Sequence, residues 1–196
     1  MINIALFGTS ADPPTAGHKE ILEGLSERYD WVAVWASDNP FKSHHSPLEH
    51  RKRMLGALIS EIETRRNNIG LYNELSKSRS LETVEKAREI WGDRVEFTLV
   101  IGSDLVSQLP RWYQVETLLQ QVKLLVVQRP GYEISEGELE GLRQLGGRVA
   151  IANFCLPAVS STAYRENGDT NVLTPTVEDY IHQEKLYAWQ NAALSR

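Results

Sequence analysis

Ile2-Asn3-Ile4-Ala5-Leu6-Phe7-Gly8-Thr9-Ser10-Ala11-Asp12-Pro13-Pro14-Thr15-Ala16-Gly17-His18 is the stretch on which the architecture turns. It opens with an apolar run of strand length, passes through a turn, and enters a helical pattern near Thr15. Gly8 permits a tight bend, and Thr9 and Ser10 bring hydroxyls and amides. The helix beyond them aims its unpaired amides and the positive end of its dipole at the space above the strand. A phosphate group suits that space. Thr15 and His18 share one helix face, and Gly17 removes a side chain that would block a nucleotide, so His18 is placed to donate to phosphate. Taken alone, such a turn also fits plain chain reversal, and a lone histidine a satisfied surface residue. Neither G-x-x-x-x-G-K-[ST] nor G-x-G-x-x-G occurs at this turn, which removes support for P-loop hydrolysis and for ordinary dinucleotide oxidoreduction.

Outward from the turn, short apolar runs alternate with stretches of helical period. Strands are expected over residues 2–7, 31–36, 69–72, 97–101, 124–127 and 149–152. Ile21, Leu22 and Leu25 share one helix face, Met54, Leu55, Leu58, Ile59 and Ile62 another. Val84, Ala87, Arg88 and Trp91 continue the spacing until Gly92 caps it, and Val177, Tyr180, Ile181 and Glu184 mark a late helix. The pattern predicts an α/β, doubly wound, Rossmann-like domain: a parallel sheet of about six strands with helices on both faces. Residues 131–147 are polar and Glu-rich, and read as a peripheral insertion.

One domain over residues 1–196 fits this length, and 41% hydrophobic with 24% charged residues is the balance of a globular chain. A net charge of −5 disfavours broad attraction to nucleic acid or an anionic membrane, while leaving room for a locally basic site. Cys155 is the single cysteine, compatible with a reducing compartment and a buried structural thiol. No basic region precedes the first apolar run and no apolar stretch approaches ~20 residues, so the expected location is the cytoplasm. Self-association is left open. His44 and His45 are expected in an exposed loop.

Thr15-Ala16-Gly17-His18 resembles the [TH]-x-G-H signature of the nucleotidyltransferase superfamily, and further segments narrow the likeness. Ile101-Gly102-Ser103-Asp104, Leu109-Pro110-Arg111-Trp112-Tyr113, Gln128-Arg129-Pro130-Gly131-Tyr132 and Val159-Ser160-Ser161-Thr162-Ala163-Tyr164-Arg165 follow in order, as in the bacterial nicotinate-nucleotide adenylyltransferase family. Each segment also makes physical sense unaided. Ser160, Ser161 and Thr162 can start a helix and meet phosphate oxygens, and Arg165 one turn later offers a planar cationic fork. Trp112 and Tyr113 can present an aromatic face to a ring, or pack a core. Lys42, after the second strand, can reach phosphate or remain solvated.

The resemblance implies transfer of AMP from ATP to nicotinate mononucleotide, giving nicotinate adenine dinucleotide and pyrophosphate, with Mg²⁺ carried by the ATP phosphates and no dedicated protein metal site. It implies that His18, Thr15, Lys42 and Arg165 serve catalysis. Gly8, Thr9, Ser10, Gly17, Gly102, Asp104, Ser160, Ser161 and Thr162 would join His18 and Arg165 around ATP. Asp104 would sit on a ribose or organise the metal region. Ser80, Thr83, Trp112, Tyr113 and Arg129 would receive the mononucleotide, with Trp112 stacked on its ring and backbone amides near Ser80 and Thr83 on its carboxylate. The family opening G-G-T-F-D-P is here Gly8-Thr9-Ser10-Ala11-Asp12-Pro13, and its Ser-Tyr-Thr run is Ser78-Arg79-Ser80. Nicotinamide mononucleotide, another phosphorylated acceptor, and a non-catalytic nucleotide-binding regulator are the alternatives.

Overall fold

A computed structural model describes residues 1–38, 43–129, 131–154 and 156–187. Six parallel strands form its centre: β1 (Ile2–Thr9), β2 (Trp31–Ala36), β3 (Ile69–Leu71), β4 (Val95–Gly102), β5 (Lys123–Val127) and β6 (Arg148–Ala152). Their order is β3-β2-β1-β4-β5-β6, so the direction of strand addition reverses between β1 and β4. In a sheet of this kind the crevice beyond the carboxyl ends at that reversal is where ligands bind. Gly8 to His18 and Gly102 to Asp104 follow those two strand ends.

Both faces of the sheet are covered, which is why its central strands read as unbroken apolar runs. Along β1, Ile4 and Leu6 enter one core cluster, while Ala5 and Phe7 enter the other. The first cluster lies under α3 (Ser80–Trp91), α4 (Val115–Gln121) and α5 (Glu136–Gln144), which supply Val84, Leu118 and Leu142 among others. The second lies under α1 (Ala16–Arg28), α2 (Leu48–Ser60), α6 (Ser161–Asn167) and α7 (Pro175–Glu184), through Leu22, Leu55, Tyr164 and Ile181. Each fully buried Leu, Ile or Phe contributes about 1.5–3 kcal/mol.

The segment expected as a peripheral insertion is a structural crossover. Leu139 and Leu142 of α5 are buried, and the helix returns the chain from β5 to the parallel edge strand β6. Its many glutamates occupy the solvent face, which made the segment look detachable. The expected third strand ends at Leu71 rather than Tyr72, and the helical segment expected after Trp112 and Tyr113 is α4. Cys155 lies outside the described residues. Among those described, no helix is long and apolar enough to cross a membrane.

Candidate active site

The turn after β1 is fixed from both sides. A Cβ on Gly8 would stand 2.5 Å from the Trp35 indole, so only glycine lets β1 pass β2 here. Ala11 is held at φ 50° and is buried, a left-handed conformation that costs a non-glycine residue about 1–2 kcal/mol. Thr15 caps α1, and His18 stands at the third helical position, where a capping-box partner is usually Glu or Gln. Here the imidazole takes that part: the Thr15 backbone N–H donates to His18 Nδ1 at 3.0 Å, with Thr15 Oγ1 at 2.9 Å from the same nitrogen. His18 Nε2 lies 2.9 Å from Thr9 Oγ1. Burial, followed by the nearby Arg129 charge, lowers the His18 pKa from 6.5 to about 3. The ring is therefore neutral at physiological pH and acts as a hydrogen-bonding group rather than a cation.

The distant Ser-Ser-Thr/Arg segment lies directly against this turn. Arg165 Nη1 donates to the Asp12 carbonyl at 2.7 Å, and Ser161 Oγ donates to the Pro13 carbonyl at 2.8 Å. Arg165 Nη2 donates to Thr162 Oγ1 at 3.1 Å, and Ser160 Oγ accepts from the Ala163 N–H to cap α6. Gly17 faces Val159, whose Cγ2 would be 3.2 Å from an added Cβ. Gly8, Thr9, Ser10, Thr15, Gly17, His18, Ser160, Ser161, Thr162 and Arg165 thus form one neighbourhood. Lys42, assigned to the same phosphates, lies outside the described residues.

Three residues that the sequence did not single out hold this neighbourhood together. Arg51 of α2 is 1% exposed. Its Nη1 donates to the carbonyls of Ser10 (2.9 Å) and Ser37 (2.7 Å), its Nε to that of Ser46 (3.1 Å), and its Nη2 lies 3.4 Å from Asp38 Oδ1. The Asp12 carboxylate accepts from the His45 and Ser46 amides at 2.6 and 3.2 Å and from the Tyr187 hydroxyl at 2.8 Å. Tyr187 also packs edge-on against Tyr164. A signal for Arg51 existed: it shares the face of Met54, Leu55 and Leu58, an arginine where the period demands a buried residue. Tyr187 carried none. His45 is exposed as expected, but His44 is half-buried.

Beyond β4, Asp104 pairs with Arg129 (Oδ1 to Nε, 3.4 Å), and both side chains close over Gly102, leaving no room there for a Cβ. The Arg129 backbone N–H donates to Ser103 Oγ at 2.9 Å. Arg129, expected on the mononucleotide, is thus bound to the Gly102–Asp104 corner, and its charge is felt at His18. Trp112 is half-buried against the first core cluster, and the exposed Tyr113 ring lies 4.1 Å from the Arg79 guanidinium. That contact joins the 112–113 segment to the start of α3 and hence to Ser80. The Thr83 hydroxyl donates to the Leu75 carbonyl and its N–H to that of Arg79, so both of its hydrogens are engaged within the protein. The amides left open at this end are those of Ser80, Leu81 and Glu82. Among the described residues no group of three His, Cys, Asp or Glu side chains has the arrangement of a metal site.

Residues 6–167 match the cytidylyltransferase-like family model. The chain is 39% identical to a Synechocystis protein named "Probable nicotinate-nucleotide adenylyltransferase", over 95% of this chain and 99% of that one. A protein of the same name from Oceanobacillus iheyensis is 25% identical, with 96% and 98% covered. The fold superposes on Plasmodium falciparum nicotinic acid mononucleotide adenylyltransferase complexed with NaAD, at TM-score 0.80 and 21% identity, covering 95% of this chain and 98% of that one.

Proposed function

The chain belongs to the cytidylyltransferase-like family and, within it, to the nicotinate-nucleotide adenylyltransferases, and on that premise we propose that it transfers AMP from ATP to nicotinate mononucleotide in NAD biosynthesis. A 5′-phosphate oxygen of the mononucleotide attacks the α-phosphorus of ATP, the bond from that phosphorus to the α,β-bridging oxygen breaks, and pyrophosphate leaves with the electron pair. The attacking oxygen is already anionic, so no strong base and no covalent enzyme intermediate is needed. Rate then depends on positioning and on donors aimed at the developing charge.

The observation that carries this reading is the direct joining of the Gly8–His18 turn to the Ser160–Arg165 segment through Arg165, Asp12, Ser161 and Pro13. It brings a neutral imidazole, six hydroxyl-bearing residues and a guanidinium to one end of the sheet. Arg165 holds outer phosphates, and His18 orders the donors around the α-phosphate. Trp112, with the open amides of Ser80 to Glu82, forms the wall for the pyridine ring and its carboxylate. Mg²⁺ would supply charge neutralisation of the triphosphate, as a cation that prefers oxygen ligands. Asp104 would be the carboxylate to meet such an ion: its Oδ1 is buried and makes no hydrogen bond, lying 3.4 Å from Arg129 Nε as an ion pair. A cytoplasmic setting, where ATP is supplied, belongs to the same proposal.

The test is release of pyrophosphate from ATP plus nicotinate mononucleotide by the purified protein. Turnover is expected, with a higher kcat/KM than for nicotinamide mononucleotide. ATP binding without turnover would replace the enzyme by a nucleotide-binding regulator.

A further inference from the structure

The His18 ring has one N–H to give, and the geometry says where it goes. A backbone amide can only donate, so the Thr15 N–H at 3.0 Å fixes Nδ1 as an acceptor. The neutral ring then carries its proton on Nε2, and that proton is directed at Thr9 Oγ1, 2.9 Å away. The Ala11 N–H donates to the same oxygen at 3.3 Å. Two donors occupy both lone pairs of the Thr9 hydroxyl, so its own hydrogen turns away from both. Among the described residues no acceptor for that hydrogen is recorded, although Thr9 is only 7% exposed. A nearly buried donor left unmet is costly, and it is relieved by an acceptor arriving from solvent. Where the family resemblance expects a second glycine, this chain has placed a polarised O–H at the carboxyl end of β1.

We propose that the Thr9 hydroxyl is the group that donates to the ATP phosphate, and that His18 is a positioning residue acting through it. The two contacts exclude each other: a ring N–H held by Thr9 cannot also be given to a phosphate oxygen. A chain of hydrogen bonds from imidazole to hydroxyl to phosphate also strengthens the terminal link, because each donor polarises the next. The inference rests on the adenylyltransferase reading for the identity of the acceptor, but not for the direction of the hydroxyl.

The experiment compares Thr9→Val, Thr9→Ala and Thr9→Ser, alone and with His18→Ala, by pyrophosphate release and by calorimetric binding of ATP. Thr9→Val keeps the shape and removes the donor. It is expected to lower kcat by about 100-fold or more while the KM for nicotinate mononucleotide moves less than about twofold, and Thr9→Ser to recover most of the loss. The double variant Thr9→Val/His18→Ala should be no slower than His18→Ala alone, since both remove one chain of donors. Thr9→Ala gives the same reading if the valine variant does not fold. Unchanged kcat in both hydroxyl-free variants, or losses that multiply in the double, would overturn the proposal. Absent turnover in the wild type would instead remove the adenylyltransferase reading; ATP binding then decides, weaker in Thr9→Val than in Thr9→Ser if the hydroxyl is the contact, equal if it is not.

Discussion

At the phosphate end of the crevice Thr9, Thr15 and His18 are 7%, 2% and 8% exposed and joined to one another by hydrogen bonds. At the end assigned to the pyridine, Tyr113 is 47% exposed and held by a guanidinium lying on its face. The first region is held by burial and by its own hydrogen bonds, so its donors need little reorganisation when charge develops. The second has side chains whose rotamers are free to adjust. On the proposed assignment the contrast divides the labour: the step common to all adenylyl transfers would sit on the buried, cross-bonded end, and the choice of acceptor on the exposed one.

The largest expected effect lies at the rigid end. His18→Ala should lower kcat by about 100- to 1,000-fold, the usual loss when a preorganised donor is removed, with little change in the KM for the mononucleotide. A folded variant with full kcat would dissolve the contrast. Next, Arg51→Met should destabilise the protein by about 3 kcal/mol, because three carbonyls lose their donor. In a chain of this length that lowers Tm by roughly 6–12 °C in a thermal melt. Arg79→Ala, at the exposed end, should shift it by no more than about 2 °C; equal shifts would show both ends to be equally rigid.

A third prediction follows from the buried neutral imidazole. The His18 pKa in the folded chain, about 3, is below its ordinary 6.5, so the unfolded chain binds the proton more readily. The associated stability is present above pH 6.5 and is lost as pH falls from there toward 3. Between pH 7 and pH 5 the loss is about 2 kcal/mol, read from urea midpoints, and it should vanish from the difference in His18→Gln. The smallest effect belongs to the adaptable end: Trp112→Ala should raise the KM for nicotinate mononucleotide about tenfold while the KM for ATP holds, the scale of one lost aromatic stack. A selective rise in the KM for ATP would place Trp112 at the wrong end.

What the sequence disclosed follows from how far apart the partners are. β1, its turn and α1 were legible because strand, glycine and helix cap are contiguous, and the Ser160–Arg165 segment because its cap and guanidinium are one turn apart. The bond from His18 to Thr9 was hidden, since a threonine where the family has glycine looks like an obstruction until its hydroxyl is seen to receive the ring. Asp12, Arg51 and Tyr187 escaped because their hydrogen bonds span 34, 41 and 175 residues. Residues 131–147 were misread for composition, although Ser135 and Glu138 form a capping box whose pattern announces a helix. The Thr83 amide is turned inward for a local reason: it is the first of α3 with an acceptor one turn back, the Arg79 carbonyl.

The clasp between Arg165 and the Asp12 carbonyl spans 153 positions, and that between Tyr187 and the Asp12 carboxylate 175. During synthesis the recognisable motif therefore leaves the ribosome long before the residues that give it shape. A nascent chain that has emitted Gly8 to His18 holds the letters of the signature without its geometry, and the closure of so long a loop makes this corner among the last to set. Nucleotide affinity should accordingly arise in growing chains as a late step rather than by gradual accumulation.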